Sequence, residues 1–257
     1  MTRWPRFPFD ATPYTFTPEA LAARWGWLHA ADAEPWPESS AVQTAWVLYH
    51  AGSFEQAMTA GLVAGPEGWT VASRAQLVQA TYLERREAGR SELLREVVER
   101  SRQHLALEKD NVGAHVLLCS ALMRLGQAQH MSAPQAHELG IKIRQGLQTA
   151  IRLRPLHTEA HIMLASHYTD VIDRSGHLMA KAEGADSATI QRLLRQALTL
   201  QPSSALARLE LARALLVMDG SRRQAEADEL LRQAANGLSM DATERLHAER
   251  ARAELTD

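Results

Sequence analysis

The feature that most constrains this chain is a helix-ending segment that occurs three times. The segments read QHLALEKDN at 103–111, QTAIRLRP at 148–155 and RQALTLQP at 195–202. Each ends on a proline or an Asp-Asn pair, and a new helical pattern follows at Ala114, Ala160 and Ala207. Proline suits the first turn of a new helix, because its missing N–H group has no partner there to lose. The chain is therefore predicted to repeat a helical unit.

Apolar residues recur with helical spacing from residue 38 onward, and no segment alternates as a strand would. Breaks in the pattern predict about 12 helices that come in pairs, most of them bounded by glycine or proline. The breaks fall at Gly52, Gly65-Pro66, Gly89, Asp110-Asn111, Gly126, Pro155, Gly176, Pro202, Gly220 and Asp241. An earlier helix begins with Thr17 as its N-cap and Pro18 in its first turn, and is expected to run to about Ala33. The predicted fold class is all-α.

Small residues occupy the positions at which paired helices cross. In the first helix of each pair they are Ala45, Cys119, Ala165 and Ala212; Ala57 lies in a second helix, and Gly52 and Gly126 are expected at the turns. Together with the junctions, this pattern resembles the tetratricopeptide repeat (TPR), in which helices A and B of each repeat stack on their neighbours. The resemblance implies a TPR-like α-solenoid, with residues 40–64 as its clearest helix pair.

Longer stretches resemble a family of uncharacterised TPR proteins of proteobacteria. They are WLHAADAEPWP at 27–37, AW at 45–46 with HAGSF at 50–54, ATYL at 80–83, EAH at 159–161 with HYTDVID at 167–173, and DATERL at 241–246 with ARAEL at 251–255. The resemblance extends over nearly the whole chain and implies a helical-repeat fold without a reaction. The chain departs from the family in two insertions between helices A and B, 127–139 and 174–187. Insertions at one location often collect on the binding side of a solenoid, so both are predicted to be loops at one rim.

The first third of the chain differs in composition from the rest. All six tryptophans lie before residue 70, and residues 1–16 combine prolines with aromatic residues. Proline density forbids a helix there, and the aromatic content argues against a solvated tail. We predict an extended arm packed on the first helices. The predicted domains are an arm with a capping helix at 1–37 and a single continuous TPR-like solenoid at 38–257.

Charge and cysteine content narrow the classes of function. The formal net charge is −2, so neither nucleic acid nor an anionic membrane is expected as a partner. A lone cysteine, Cys119, cannot form an internal disulfide and is expected to act as a small buried hydrophobe. No apolar run is long enough to span a bilayer, and the N-terminus does not read as a secretory signal. A cytoplasmic bacterial protein without a cofactor is predicted.

The predicted binding site is the concave face of the A helices. Its residues are Trp46, Tyr49, Val116, Ser120, Arg124, Ile162, Ser166, Asp170, Asp173 and Arg213. This groove is expected to be mostly apolar with isolated polar points, which suits an amphipathic helix or an apolar peptide. An unoccupied apolar groove invites aggregation. Self-association, or occupation of the groove by the arm at 1–16, is therefore the alternative to a separate partner.

A histidine pair has the spacing of a metal site. His157 and His161 lie one helical turn apart, which places two imidazoles on one face. However, His115 holds the position of His161 one repeat earlier, and a recurring position favours packing. We therefore predict no metal site.

His167, Asp170 and Asp173 could together serve acid–base catalysis. A solvated acidic face with Arg174 as counter-ion is the simpler explanation, and no nucleophile elbow, phosphate loop or paired-cysteine motif accompanies them. The sequence thus favours a non-catalytic scaffold that binds a protein, peptide or helix. The alternatives are a small-molecule binding protein related to transport accessory proteins, with a closed pocket beside the insertions, and an enzyme that uses these three residues.

Overall fold

In a computed structural model the protein is all-α, and the residues that the structure describes, 4–128, 131–182 and 184–256, include no strand. The α-helices are α1 (Pro18–Leu28), α2 (Ser40–His50), α3 (Phe54–Val63), α4 (Trp69–Val78), α5 (Glu87–Leu107), α6 (Val112–Ala128), α7 (Ala133–Leu153), α8 (Thr158–Ala182), α9 (Ser187–Leu200), α10 (Ala205–Asp219), α11 (Gln224–Asn236) and α12 (Ala242–Glu254). A π-helical turn at Gln79–Leu83 extends α4. None of the described helices is long and apolar enough to cross a membrane.

The chain forms two compact units. The first contains Met1–His29, Ala33–Arg154 and Asp241–Thr243. Within it α2 packs on α3, α4 on α5 and α6 on α7, while α4 also lies against both α2 and α6. Helices α2, α4 and α6 are therefore the A helices of three consecutive repeats, and α3, α5 and α7 are their B helices.

The second unit contains Ala30–Asp32, Pro155–Met240 and Glu244–Asp257. Here α8 packs on α9, α10 packs on α11, and the A helices α8 and α10 lie side by side. The predicted all-α architecture of stacked helix pairs is confirmed. A single continuous solenoid over 38–257 stays a prediction.

The three repeated segments form junctions with the same local geometry. The residue after each B helix has nearly the same extended conformation: Glu108 (φ −133°, ψ 82°), Arg154 (−140°, 88°) and Gln201 (−137°, 83°). Three residues later in each junction, a side chain caps the next A helix by accepting the N–H of an alanine. The acceptors are Asn111 Oδ1 for Ala114 at 2.9 Å, His157 Nδ1 for Ala160 at 3.2 Å and Ser204 Oγ for Ala207 at 3.1 Å. Capping of this kind stabilises a helix by about 1 kcal/mol.

This geometry corrects the register of the sequence alignment. Asn111 is equivalent to His157 and Ser204, so the position of Pro155 is held in the earlier junction by Lys109 and not by Asn111. The repeat is unusually long because α7 extends over 21 residues and because a further helical segment, up to Ala182, follows the break in α8 at Gly176.

Both insertions are largely helical, so the prediction of rim loops was wrong. Between 127 and 139, α6 continues to Ala128 and α7 begins at Ala133, where Ser132 and Gln135 form a capping box. Between 174 and 187, the backbone leaves the helical conformation at Gly176 (φ 75°, ψ 166°), as predicted, and a second helical segment follows up to Ala182. Residues 129, 130 and 183 of the insertions lie outside the described part of the chain. The extra residues lengthen paired helices because helix elongation satisfies backbone hydrogen bonds that a loop would expose.

Three predicted breaks were misplaced. Helix α1 ends at Leu28, before the expected Ala33, because the chain turns back and the Trp25 indole donates to the Glu34 carbonyl at 2.7 Å. Gly89 lies inside α5, since the break falls where the Glu84 carboxylate accepts the Arg86 N–H at 2.8 Å. Gly126 lies inside α6, where a Cβ atom would stand 3.0 Å from Leu139 Cδ2. A glycine in a helix can therefore mark a close approach of another helix as well as a turn.

The N-terminal arm packs on the first unit, as its aromatic content predicted. Phe7 lies edge-on to Phe54 with ring centroids 6.4 Å apart, and its side chain also lies against Gly52. The Pro5 carbonyl accepts from Gln79 Nε2 at 3.0 Å, and Trp4 packs on the core between α5 and α6. Residues 1–3 of the arm lie outside the described residues.

Candidate functional site

In the second unit the A-helix face carries an ion pair that the sequence did not predict. Asp170 on α8 is buried and pairs through Oδ1 with Nη2 of Arg213 on α10. Glu210 lies 3.8 Å from the same guanidinium, and Asp173 is exposed one turn beyond Asp170. Burial alone would lower the pKa of Arg213, but the Asp170 and Glu210 charges raise it. Asp170 and Arg213 are therefore joined, and the prediction of isolated polar points was wrong here.

The counter-ion of Asp170 also differs from the prediction. Arg174 donates from Nε to the Asp170 backbone carbonyl at 3.2 Å, whereas the carboxylate binds Arg213. Because α8 and α10 lie side by side, the Asp170 carboxylate binds Arg213 on the other helix and not Arg174, its neighbour in sequence. Glu210 was missed, although its place one turn before Arg213 is a recognisable signal.

Most predicted groove residues are buried. Among the apolar ones, Trp46, Tyr49, Val116 and Ile162 are each 5% exposed or less, and Ser166 is also buried. Their binding role stays a prediction, and a partner could reach them only by displacing packed side chains. The accessible members are Asp173, which is exposed, and Arg124 and Arg213, which are half-buried.

Helix α6 presents two buried polar atoms without a partner. Neither Ser120 Oγ nor Arg124 Nε forms a hydrogen bond within the described part of the chain, and both atoms are shielded from solvent. The two residues lie one turn apart, so they share one face of the helix. Buried donors are usually satisfied in folded proteins, so this pair is a reason to test the α6 face, where an external acceptor could reach the two atoms only if the side chains that cover them move.

The histidines of the repeat junctions have structural roles. His115 Nε2 donates to the Lys109 carbonyl at 2.9 Å, and His161 Nε2 donates to the Pro155 carbonyl at 2.8 Å. The same bond in two successive repeats confirms that this position serves packing. His157 is fully buried and caps α8 through Nδ1. No cluster of His, Cys, Asp and Glu placed to hold a metal ion occurs among the described residues.

Replacement of His157 by alanine is expected to lower stability by about 2 kcal/mol without changing metal content, because the mutation removes a helix cap and a buried ring. His157→Asn should recover most of the loss, since Asn111 performs the same capping one junction earlier. Chemical denaturation and elemental analysis measure the two effects. Stoichiometric zinc that disappears with the ring would contradict the structural role.

The residues considered for catalysis, and Cys119, lie in surroundings that do not activate them. His167 is buried beside Tyr168, Asp170 is held by Arg213, and Asp173 is exposed. Cys119 lies at the crossing of α6 and α7, where burial raises the pKa of its thiol to about 12. A thiol with such a pKa stays protonated near neutral pH and is a poor nucleophile.

Among the described residues of the first unit, two of the clefts are lined by residues other than the predicted groove residues. One of about 490 Å³ lies between Glu34, the α5–α6 junction and Arg154. The other, of about 330 Å³, lies between the arm and the α2–α3 turn.

Comparison with known proteins shows a likeness of fold. The chain is similar to a solved crystal structure of TTC0263, which is described as a thermophilic TPR protein in Thermus thermophilus. The two superpose with a TM-score of 0.59 and 19% sequence identity, over 84% of this chain and 100% of that one. No protein-family model matches the chain, and no curated protein matches it. The likeness supports the TPR-type fold alone, so the function has to be argued from the site.

Proposed function

We propose that this chain is a non-catalytic TPR-type scaffold that binds a peptide or helical segment of another protein on its A helices. The proposal is supported by the A helices, which lie side by side within each unit. Location in the bacterial cytoplasm, and the continuity of the repeats over 38–257, belong to the same proposal.

The observation that carries the proposal is the unsatisfied pair on α6. An unpartnered Ser120 hydroxyl and Arg124 Nε–H each cost free energy in the free protein, of the order of 1–3 kcal/mol per group. A bound segment can return that energy by supplying carbonyl or carboxylate oxygens as acceptors. The site therefore favours a partner with exposed main-chain carbonyls or acidic side chains facing α6.

The second unit supplies a different polar surface. Arg213 is one-third exposed (33%) while it stays paired with the buried Asp170, and Asp173 is exposed. A guanidinium that is already oriented by a buried carboxylate can bind a further acceptor with little loss of conformational freedom. Asp173 and Glu210 lie beside it as acceptors for donors of the partner.

The test is affinity capture from a bacterial lysate by the full chain, with quantitative mass spectrometry of what is retained. We expect Arg124→Gln to reduce recovery of the partner about ten-fold, because a hydrogen bond to a charged donor is lost. Arg95→Gln is the matched control, since Arg95 is an exposed arginine on the B helix α5. Equal recovery with both variants would refute a binding role for the α6 face.

The second unit is tested with an exposed residue because Asp170 is buried and its loss would disturb the fold. Asp173→Asn is expected to lower recovery several-fold without changing the melting temperature, since Asp173 is exposed. The control is Glu229→Gln on the B helix α11, where a surface ion pair with Arg232 contributes little to stability. Retention that falls equally in both variants would indicate a general charge effect instead of a site on α8.

A further inference from the structure

The chain contains two asparagines, and their surroundings are opposite. Asn111 caps α6, because its Oδ1 accepts the Ala114 N–H at 2.9 Å while its Nδ2 donates to Glu108 Oε2 at 2.9 Å, and a buried valine follows it. Asn236 is the last residue of α11, and its exposed side-chain amide forms no hydrogen bond within the described part of the chain. The residue that follows Asn236 is Gly237, which is also exposed.

The backbone after Asn236 is free to approach the Asn236 side chain. The chain leaves the helix at Gly237 (φ −63°, ψ 152°), and no acceptor among the described residues binds the Gly237 N–H. The carbonyl of a last helical residue also lies outside the intrahelical hydrogen bonds. Rotation about the Cα–C bond of Asn236 therefore brings the Gly237 nitrogen to Cγ without the loss of a hydrogen bond, and glycine has no side chain to obstruct it.

An acidic residue before a glycine elsewhere in the chain shows the contrasting arrangement. Gly220 follows Asp219, but the Gly220 N–H donates to the Leu216 carbonyl. The Asp219 carboxylate lies 3.6 Å from the Arg223 guanidinium. An ionised carboxylate is a poor electrophile, and its glycine nitrogen is held, so Asp219 serves as an internal control.

We propose that Asn236–Gly237 is a self-modification site, at which the folded protein converts Asn236 to aspartate and isoaspartate. The Gly237 nitrogen loses its proton to solvent and forms a bond to Asn236 Cγ. The bond from Cγ to Nδ2 breaks and ammonia leaves, which gives a cyclic imide.

Water then opens the imide at either carbonyl. Cleavage between the nitrogen and Cγ gives aspartate with an ordinary main chain. Cleavage between the nitrogen and the main-chain carbonyl carbon gives isoaspartate, in which the main chain runs through Cγ. Overall, asparagine and water become aspartate or isoaspartate and ammonia, so no oxidant, reductant or further reactant is needed.

The modification acts on a packed helix end that is separate from the proposed A-helix surface, since α11 is a B helix. Ala234 and Ala235 are buried in a cluster with Ala251 of α12, and the Ala235 carbonyl accepts from Arg252 Nη2 at 2.6 Å. Each product adds a negative charge at the C-terminal end of α11, where the helix dipole is already negative. Isoaspartate also lengthens the main chain between α11 and α12 by a methylene group, so the last turn of α11 should become less protected.

Peptide mapping by mass spectrometry tests the site in the full-length folded protein after incubation in neutral buffer. We expect both aspartate and isoaspartate at position 236, and at least about ten-fold slower conversion of Asn111, because its two side-chain hydrogen bonds have to break first. The rate at position 236 should rise with pH, since the attacking nitrogen has to lose its proton. Asn236→Gln should stay unmodified, because its longer side chain closes a larger ring that forms more slowly.

Three results of the mapping would overturn the proposal. Equal conversion of Asn111 and Asn236 would show reaction of the unfolded chain, and aspartate without isoaspartate would show hydrolysis that bypasses the imide. An Asn236 that stays intact in the folded protein, while a synthetic peptide of residues 232–240 reacts, would show that α11 protects it.

Hydrogen exchange tests the structural consequence. The isoaspartate form should lose more protection in the last turn of α11 than Asn236→Asp, which carries the same charge on an ordinary main chain. Equal protection in the isoaspartate form and in the unmodified protein would contradict the effect on the helix end.

Discussion

Gly68→Ala is expected to destabilise the protein by about 3 kcal/mol, because the added methyl group would clash with the main chain of Gly61. A Cβ on Gly68 would overlap the carbonyl oxygen of Gly61, and a Cβ on Gly61 would stand 2.7 Å from the carbonyl oxygen of Gly68. Neither oxygen can rotate away, since both belong to main chain at the close crossing between α3 and the turn that begins α4. Urea denaturation measures the loss.

Gly26→Ala is the matched control for this change. Gly26 also lies in a helix, but nothing stands within 4 Å of its Cβ position. Alanine there should stabilise the protein by up to about 1 kcal/mol through its higher helix propensity. If both replacements shift the midpoint in the same direction, the close crossing at Gly61 and Gly68 is not as described.

Deletion of residues 1–16 is expected to lower stability by about 3 kcal/mol and to increase the binding of a hydrophobic dye. The deletion removes Phe7 from Phe54 and Trp4 from the core between α5 and α6, so apolar surface of the helices becomes exposed. It also leaves the buried Gln79 amide without the Pro5 carbonyl that accepts from it.

Two single substitutions separate packing from chain length. Phe7→Ala should account for a large part of the loss, because it removes the ring that lies on Gly52 and Phe54. Pro8→Ala, at the exposed next residue, should leave the melting temperature nearly unchanged. A truncated chain that melts and binds dye as the full chain does would show that the arm is not part of the folded core.

The repeat was readable from the sequence because its determinants are local. Helix ends, caps and small crossing residues are encoded within a few positions, so the paired helices and the crossing at Cys119 were predicted correctly. Two glycines were wrongly predicted to end helices, because they lie at close contacts with other side chains. Gly89 faces the Glu84 carboxylate and Gly126 faces Leu139, and both lie inside helices.

The site was less predictable because its contacts join distant parts of the chain. Sequence proximity suggested Arg174 for Asp170, but the packing of α8 beside α10 supplies Arg213 from 43 residues away. The hydrogen bond from His50 Nδ1 to Asp241 Oδ2, at 2.8 Å, is a second such contact, since no local pattern relates residue 50 to residue 241. That Ser120 Oγ and Arg124 Nε lack hydrogen-bond partners can be recognised only from the packing of the residues around them.

We expect a partner to bind to the A helices and not to the B helices. Hydrogen–deuterium exchange of the full chain, with and without the segment recovered by affinity capture, measures this directly. Binding should add protection in α6, α8 and α10, where Ser120, Arg124, Asp173 and Arg213 lie. Added protection confined to the B helices α5, α7, α9 and α11 would contradict the claim.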